Sequence, residues 1–213
     1  MIDILISSTL ETLYMVFLST VFAFIIGLPL AIILYITREG SLKENKLVFS
    51  GLDFIVNILR SIPFIILMIL VRPISAFIVG KSIGSTSAIV PLTIAAAPFV
   101  ARLLETSFLK VDKGIIEASK SMGSTNGQIV RKVLLPESFP NIINDVTMTL
   151  INLVGYSAMA GSIGGGGLGN MAVRFGVYNY KISYLISAVI IIIILVQIIQ
   201  FIGTRIYKNI NKI

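Results

Sequence analysis

Hydrolytic, transfer or redox chemistry needs a nucleophile beside a base, a thiol, or a metal cluster. This 213-residue sequence has no Cys and no His. That excludes thiol catalysis, disulfides, haem attachment, the usual zinc sites and imidazole proton relays. One glycine run, GGGGLG at 164–169, has the look of a phosphate cradle. A P-loop, however, ends in Gly-Lys-Ser/Thr so that a lysine reaches the phosphates. Leu168, Gly169 and Asn170 occupy that place here, and the run reads as a flexible turn. With no P-loop, the chain has no means of hydrolysing ATP.

The carboxylates give no paired acid and base within an apolar run. Asp145 stands at the edge of one such run, where contact with headgroups or neighbouring Lys and Arg is the simplest expectation. Asp53, Asn57 and Arg60, spaced by four and three, share one helical face. Arg60 reads as a boundary residue whose long stem snorkels to the headgroups. Asp53 and Arg60 are also placed to brace a neighbouring loop.

The most informative polar stretch covers about 112–136. Residues 113–122, KGIIEASKSM, set Ile115, Ile116, Ser119 and Met122 near one side of a short helix. Gly123 follows where a sharp turn needs a residue without a β-carbon. Thr125 and Gln128 have capping-box spacing and start a second helix. Pro136 is expected to stop it, since proline cannot donate the ladder hydrogen bond. Two short helices at a glycine elbow result. Their apolar faces suit either a groove on another protein or the membrane surface.

The elements that must position this hairpin are membrane spans. Apolar residues make up 56% of the chain and charged ones 13%, with a mean hydropathy of +0.97, far from soluble averages. A span needs about 20 mostly apolar residues. Five segments qualify: about 13–36, 47–71 (or about 60–80), 82–101, 146–163 and 182–203. The fold class is therefore an all-α polytopic membrane protein with five transmembrane helices. The opening MIDILISSTLET carries Asp3 and Glu11 but no Lys or Arg, unlike a secretory signal. The 24-residue run Leu13–Ile36 reads as an uncleaved first helix.

Basic residues alternate in density from loop to loop. Twelve fall after the first, third and fifth spans, against four on the opposite side. Lys and Arg accumulate on the cytoplasmic side. The N-terminus is thus expected outside, the C-terminus inside, and the hairpin in the cytosol. The net charge of +7 forms no dense patch, so no nucleic-acid partner is implied.

The hairpin also matches a known pattern. Glu117-Ala118-Ser119, Gly123 six positions after the Glu, Val133 sixteen after it and Leu135-Pro136 resemble the EAA loop of ABC importer permeases. Ser119 and Val133 depart mildly, standing for Ala and Ile. Further stretches are similar to methionine-importer permeases, nearly end to end. They are TLETLYMVFLST near the start, LRSIPFIIL (59–67), residues 79–102, IEASKSMG (116–123), QIVRKVLLPES (128–138) and TLINLVGYSAMAGSIGGGGLG (149–169).

The resemblance implies a permease domain covering the whole chain, forming a homodimer in the bacterial inner membrane. It implies two separate ABC ATPase subunits that bind the ATP and Mg, and a substrate-binding lipoprotein outside. It makes the hairpin a coupling helix, with Glu117, Ala118, Ser119 and Met122 at the docking surface and Gly123 at the elbow. Val133, Leu135 and Pro136 complete the motif.

At the end of the fourth span, the small residues around Gly155, Ala158 and Gly161 suit close helix packing. Tyr156, Ser157 and Met159 are candidates for the substrate path or gate, Met159 as a pliable constriction. The alternative reading is an ion-coupled secondary transporter. That chemistry usually needs buried mid-membrane carboxylates or His and broken helices in paired repeats, of which the sequence offers little.

Overall fold

The computed structural model describes residues 2–210; Lys212, counted among the basic residues of the C-terminal segment, lies outside them. Among the described residues every regular element is helical. The chain opens with α1 (Ile2–Thr37), α2 (Lys46–Ser61), α3 (Phe64–Val79) and α4 (Ser85–Phe108). Next come α5 (Lys113–Ser121), α6 (Asn126–Ile129), a π turn at Val130–Leu134 and α7 (Leu135–Ala160). After a second π turn at Gly161–Gly165, α8 (Gly167–Met171) runs on through 172–178, and α9 (Ile182–Ile210) ends the chain.

Four helices are long and apolar enough to cross a membrane: α1, α4, the rod Asn126–Gly165 and α9. The bent pair α2 and α3, meeting at 106°, passes the same test only when taken together, as a broken span or a re-entrant loop. The cause of the bend is local. Ile62 precedes Pro63, and the proline ring pushes the preceding residue out of the helical region. Ile62 is extended at φ −79°, ψ 123°. No straight helix therefore runs from 47 to 71. The apolar helix starts at Phe64, close to the shorter alternative of about 60–80. The amphipathic α2 has Val56 as its buried residue.

α4 is the centre of the bundle, and α1, α2, α3 and α7 all pack on it. In its most apolar stretch 67% of the residues are buried, against 6% for α9 on the outside. Close approach is made by small residues. A β-carbon at Gly27 of α1 would stand 2.9 Å from the Ala97 carbonyl oxygen of α4. α9 crosses α7 where Gly203 meets Thr147.

Two elements outrun their hydrophobic segments. α1 is already helical at Ile2, so the residues before Leu13 belong to the helix. α4 continues past Ala101 to Phe108 because its charged turn is paired. Arg102 bonds Glu105 one turn on, an i,i+3 pair that keeps the helix going.

Pro136 does not end the second hairpin helix. The rod from Asn126 to Gly165 is 40 residues long and passes straight through it. Pro136 lies in the first turn of α7, next to the π turn, where Leu135 N–H donates to the Val130 carbonyl. Such a bulge shifts the hydrogen-bond register beside a residue that has no N–H to give.

Candidate functional site

The hairpin's caps and elbow form as the sequence suggests, but Ile115, Ile116, Ser119 and Met122 do not share one face. Asp112 caps α5 by accepting from Gly114 N–H at 2.6 Å. Gly123 takes φ +82°, a left-handed conformation that costs an L-residue about 1–2 kcal/mol. Thr125 and Gln128 form the capping box, with Thr125 N–H donating to Gln128 Oε1 at 2.8 Å.

Burial splits the faces of α5. Ile116 and Ser119 turn inward, where Ile116 joins Phe108, Val111, Ile129 and Leu134 in the main core. Glu117, Ala118, Ile115 and Met122 face out, and Met122 is 78% exposed. Ile115, Ala118 and Met122 thus make an apolar ridge at i, i+3, i+7 flanked by Glu117. Val133 and Leu135 are partly buried against the core, and Pro136 is exposed. Asn126 Nδ2 donates to the Leu42 carbonyl at 3.4 Å, tying the hairpin to the α1–α2 loop.

At the same end of the bundle a charge network joins three helices. Glu105, 1% exposed, accepts from Arg38 at 3.2 Å and from Arg102 at 2.6 Å. Arg102 also pairs with Asp53 and donates to Asn57 Oδ1 at 3.2 Å. Two cations on one buried carboxylate offset the cost of withdrawing that charge from water. Asp53 is therefore a strut between α2 and α4. Arg60, one further turn along α2, has no ion-pair or hydrogen-bond partner among the described residues. Asp145 does not reach out to headgroups. It is buried and accepts from Ser107 Oγ at 2.6 Å, linking α7 to α4.

The three residues at the end of the fourth span go different ways. Tyr156 stacks on Phe64, ring centroids 4.6 Å apart, and lines a cavity of about 450 Å³ between the α2–α3 bend, α4 and α7. Ser157 is buried and donates to its own helix at Val154. Met159 is exposed and outside that cavity's lining. Arg60 and Asn152 line the cavity too; neither Asn152 nor the cavity itself was visible in the sequence.

The run 161–169 is a packed crossing and not a flexible turn. Glu11 Oε2 accepts from Gly167 N–H at 2.7 Å, and Thr12 Oγ1 from Leu168 N–H at 2.9 Å. A β-carbon at Gly169 would stand 2.1 Å from the Ala158 carbonyl oxygen. Glycine is needed here for space.

An outward helical ridge at the foot of a five-helix bundle is joined to known proteins by sequence as well. Residues 27–212 match the family described as binding-protein-dependent transport system inner membrane components. The chain belongs to that family. The probable D-methionine transport system permease protein of Vibrio cholerae is 50% identical over 209 residues, 98% of this chain and 93% of that one. The D-methionine permease of Escherichia coli K12 is 53% identical over 161 residues, covering 76% and 74%. Among solved structures, a chain of the MetNI methionine ABC transporter in inward-facing conformations superposes with a TM-score of 0.97. It is 48% identical, with 99% of this chain and 97% of that one covered. An amino-acid ABC transporter with histidines shares the fold at a TM-score of 0.80 and 20% identity.

Proposed function

We propose that this chain is the permease subunit of an ATP-driven methionine importer. It forms the translocation path as a homodimer and is powered by two separate ATPase subunits, which carry the ATP and Mg. A substrate-binding lipoprotein delivers methionine from outside. The chain is not itself an enzyme. The observation that carries this reading is the near-complete likeness, in sequence and in fold, to a subunit of a methionine ABC transporter.

In this reading the N-terminus is outside, the C-terminus inside, and the hairpin at Gly123 cytosolic. The ridge of Ile115, Ala118 and Met122, with Glu117 beside it, seats in a groove of the ATPase, a helix-in-groove contact. Ser119 holds α5 to the core from behind, while Val133, Leu135 and Pro136 carry the contact into the long rod. ATP binding closes the ATPase pair, moves the docked hairpins, and turns the cavity beside Tyr156 outward. Hydrolysis returns it. Tyr156 and Met159 are assigned to the path and gate, and Ser157 supports them from within the helix.

The test is reconstitution. The purified complex with its ATPase in proteoliposomes should take up methionine only with ATP and loaded binding protein, unaffected by an ionophore. Uptake driven by an ion gradient without ATP would instead identify a secondary carrier. Because the chain lacks Cys, a single cysteine placed at Ser124 reports orientation. An impermeant maleimide should label it in inverted vesicles and leave it untouched in whole cells.

A further inference from the structure

The cavity between the α2–α3 bend, α4 and α7 has an unusual division of lining groups. Its walls include Phe64, Phe99 and Met148, and its polar members are Arg60, Asn152 and Tyr156. None of those three side chains has a hydrogen-bond or ion-pair partner among the described residues. No carboxylate lines the cavity. Asp53, the acid nearest Arg60 on α2, is already committed to Arg102. A volume of about 450 Å³ lies within the usual range for small-molecule sites.

We infer that this cavity is a site for a neutral amino acid within the membrane path, with Arg60 receiving the α-carboxylate and Asn152 and Tyr156 the α-amino group. The inference rests on the importer reading above and adds to it a substrate class and its handholds. Arginine presents a rigid fork of donors that matches a carboxylate in two hydrogen bonds. The Asn152 carbonyl oxygen and the Tyr156 hydroxyl accept hydrogen bonds from an ammonium. They are neutral, so the ammonium is held by hydrogen bonds alone, and a second cation finds no counter-charge in the cavity. The ring face of the Phe64–Tyr156 stack and the Met148 thioether suit an apolar or sulfur-bearing side chain. A site of moderate affinity fits a path, where a ligand must leave as well as enter.

Equilibrium binding of labelled L-methionine to the nucleotide-free permease–ATPase complex, without binding protein, tests this. Wild type, Arg60→Gln and Arg60→Lys complexes are compared, each first shown to co-purify with the ATPase. The Gln variant should lose a binding component, weakened at least about tenfold, the measure of one lost charge-assisted hydrogen bond. The Lys variant should bind between the two, since the charge stays while the bidentate fork is lost. On the wild type, norleucine should compete for that component, while methioninol, which lacks the carboxylate, and lysine, which adds a cation, should not.

Equal binding by wild type and the Gln variant overturns the assignment and leaves Arg60 as a headgroup anchor. So does methioninol competing as well as methionine. Failure of the importer reading looks different: the wild-type complex would then show no ATP-driven methionine uptake at all.

Discussion

Two glycines flank opposite ends of the long rod, Gly123 in a turn and Gly169 within α8, and they are needed for different reasons. At Gly123 the backbone is left-handed at φ +82°, yet a β-carbon would meet nothing within 4 Å. At Gly169 an added β-carbon would overlap the Ala158 carbonyl and neighbouring backbone atoms. The elbow is a matter of torsion on an open surface. Gly169 is a matter of volume inside a packed joint, although Gly164, Gly166 and Gly167 of the same run also take positive φ. One end is open to its surroundings, the other holds the bundle together.

Substitutions can break or sharpen that contrast. The largest effect is expected from Gly169→Ala, because the obstacle is backbone and cannot rotate away. The permease should fail to assemble, read as loss of the complex on size exclusion. A monodisperse, fully active complex would refute the packed-joint account.

Glu105→Ala comes next. It takes from Arg38 its carboxylate and from Arg102 one of its two, leaving Arg102 on Asp53, and removing one member of a buried ionic group costs about 3 kcal/mol. Thermal unfolding in detergent should shift down markedly, and Arg102→Ala should not add to it in full, since the two share one network.

Gly123→Val is third. It strains the elbow by about 1–2 kcal/mol and sets a bulky group beside the docking ridge. The protein should stay in the membrane, while uptake falls and ATP turnover no longer responds to loaded binding protein. Unchanged uptake would count against the elbow's part in coupling.

The smallest effect is expected at Gly155→Ala, where a β-carbon meets open space. Stability of the subunit should stay within about 0.5 kcal/mol. A variant that folds but no longer dimerises would show that the second copy packs on this face.

What could be read from the sequence was what depends on neighbours along the chain. Spans follow from runs of apolar residues, the capping box from the spacing of Thr125 and Gln128, and the elbow from Gly123 between two helical patterns. The 106° bend had its signal in Pro63, but a polar face holding Asp53, Asn57 and Arg60 was equally compatible with one oblique helix. Pro136 gave a stop signal that the π turn overrode, because nothing in VRKVL announces a shifted hydrogen-bond register. The Glu105 network joins residues 67 and 49 positions apart, and the bond from Glu11 to Gly167 spans 156. Such pairings appear only when helices are placed side by side. The candidate site divides in the same way: the hairpin and its elbow are local and were legible, but not which residues of α5 face out, since Ile116 and Ser119 are buried while Ile115 and Met122 are exposed. The cavity draws its walls from four helices and was not legible.

The unbroken passage through Pro136 has a mechanical meaning. Helical backbone runs from Asn126 until Ile163 and Gly164 leave helical torsions, so at 1.5 Å per residue it extends about 55 Å, well beyond the hydrocarbon thickness of a bilayer. In the importer reading, a displacement applied at the hairpin end is carried along this one helix towards the opposite end of the bundle. Tyr156 lies on that helix beyond its midpoint, so a tilt of a few degrees at the base is enough to shift its ring by ångströms against Phe64.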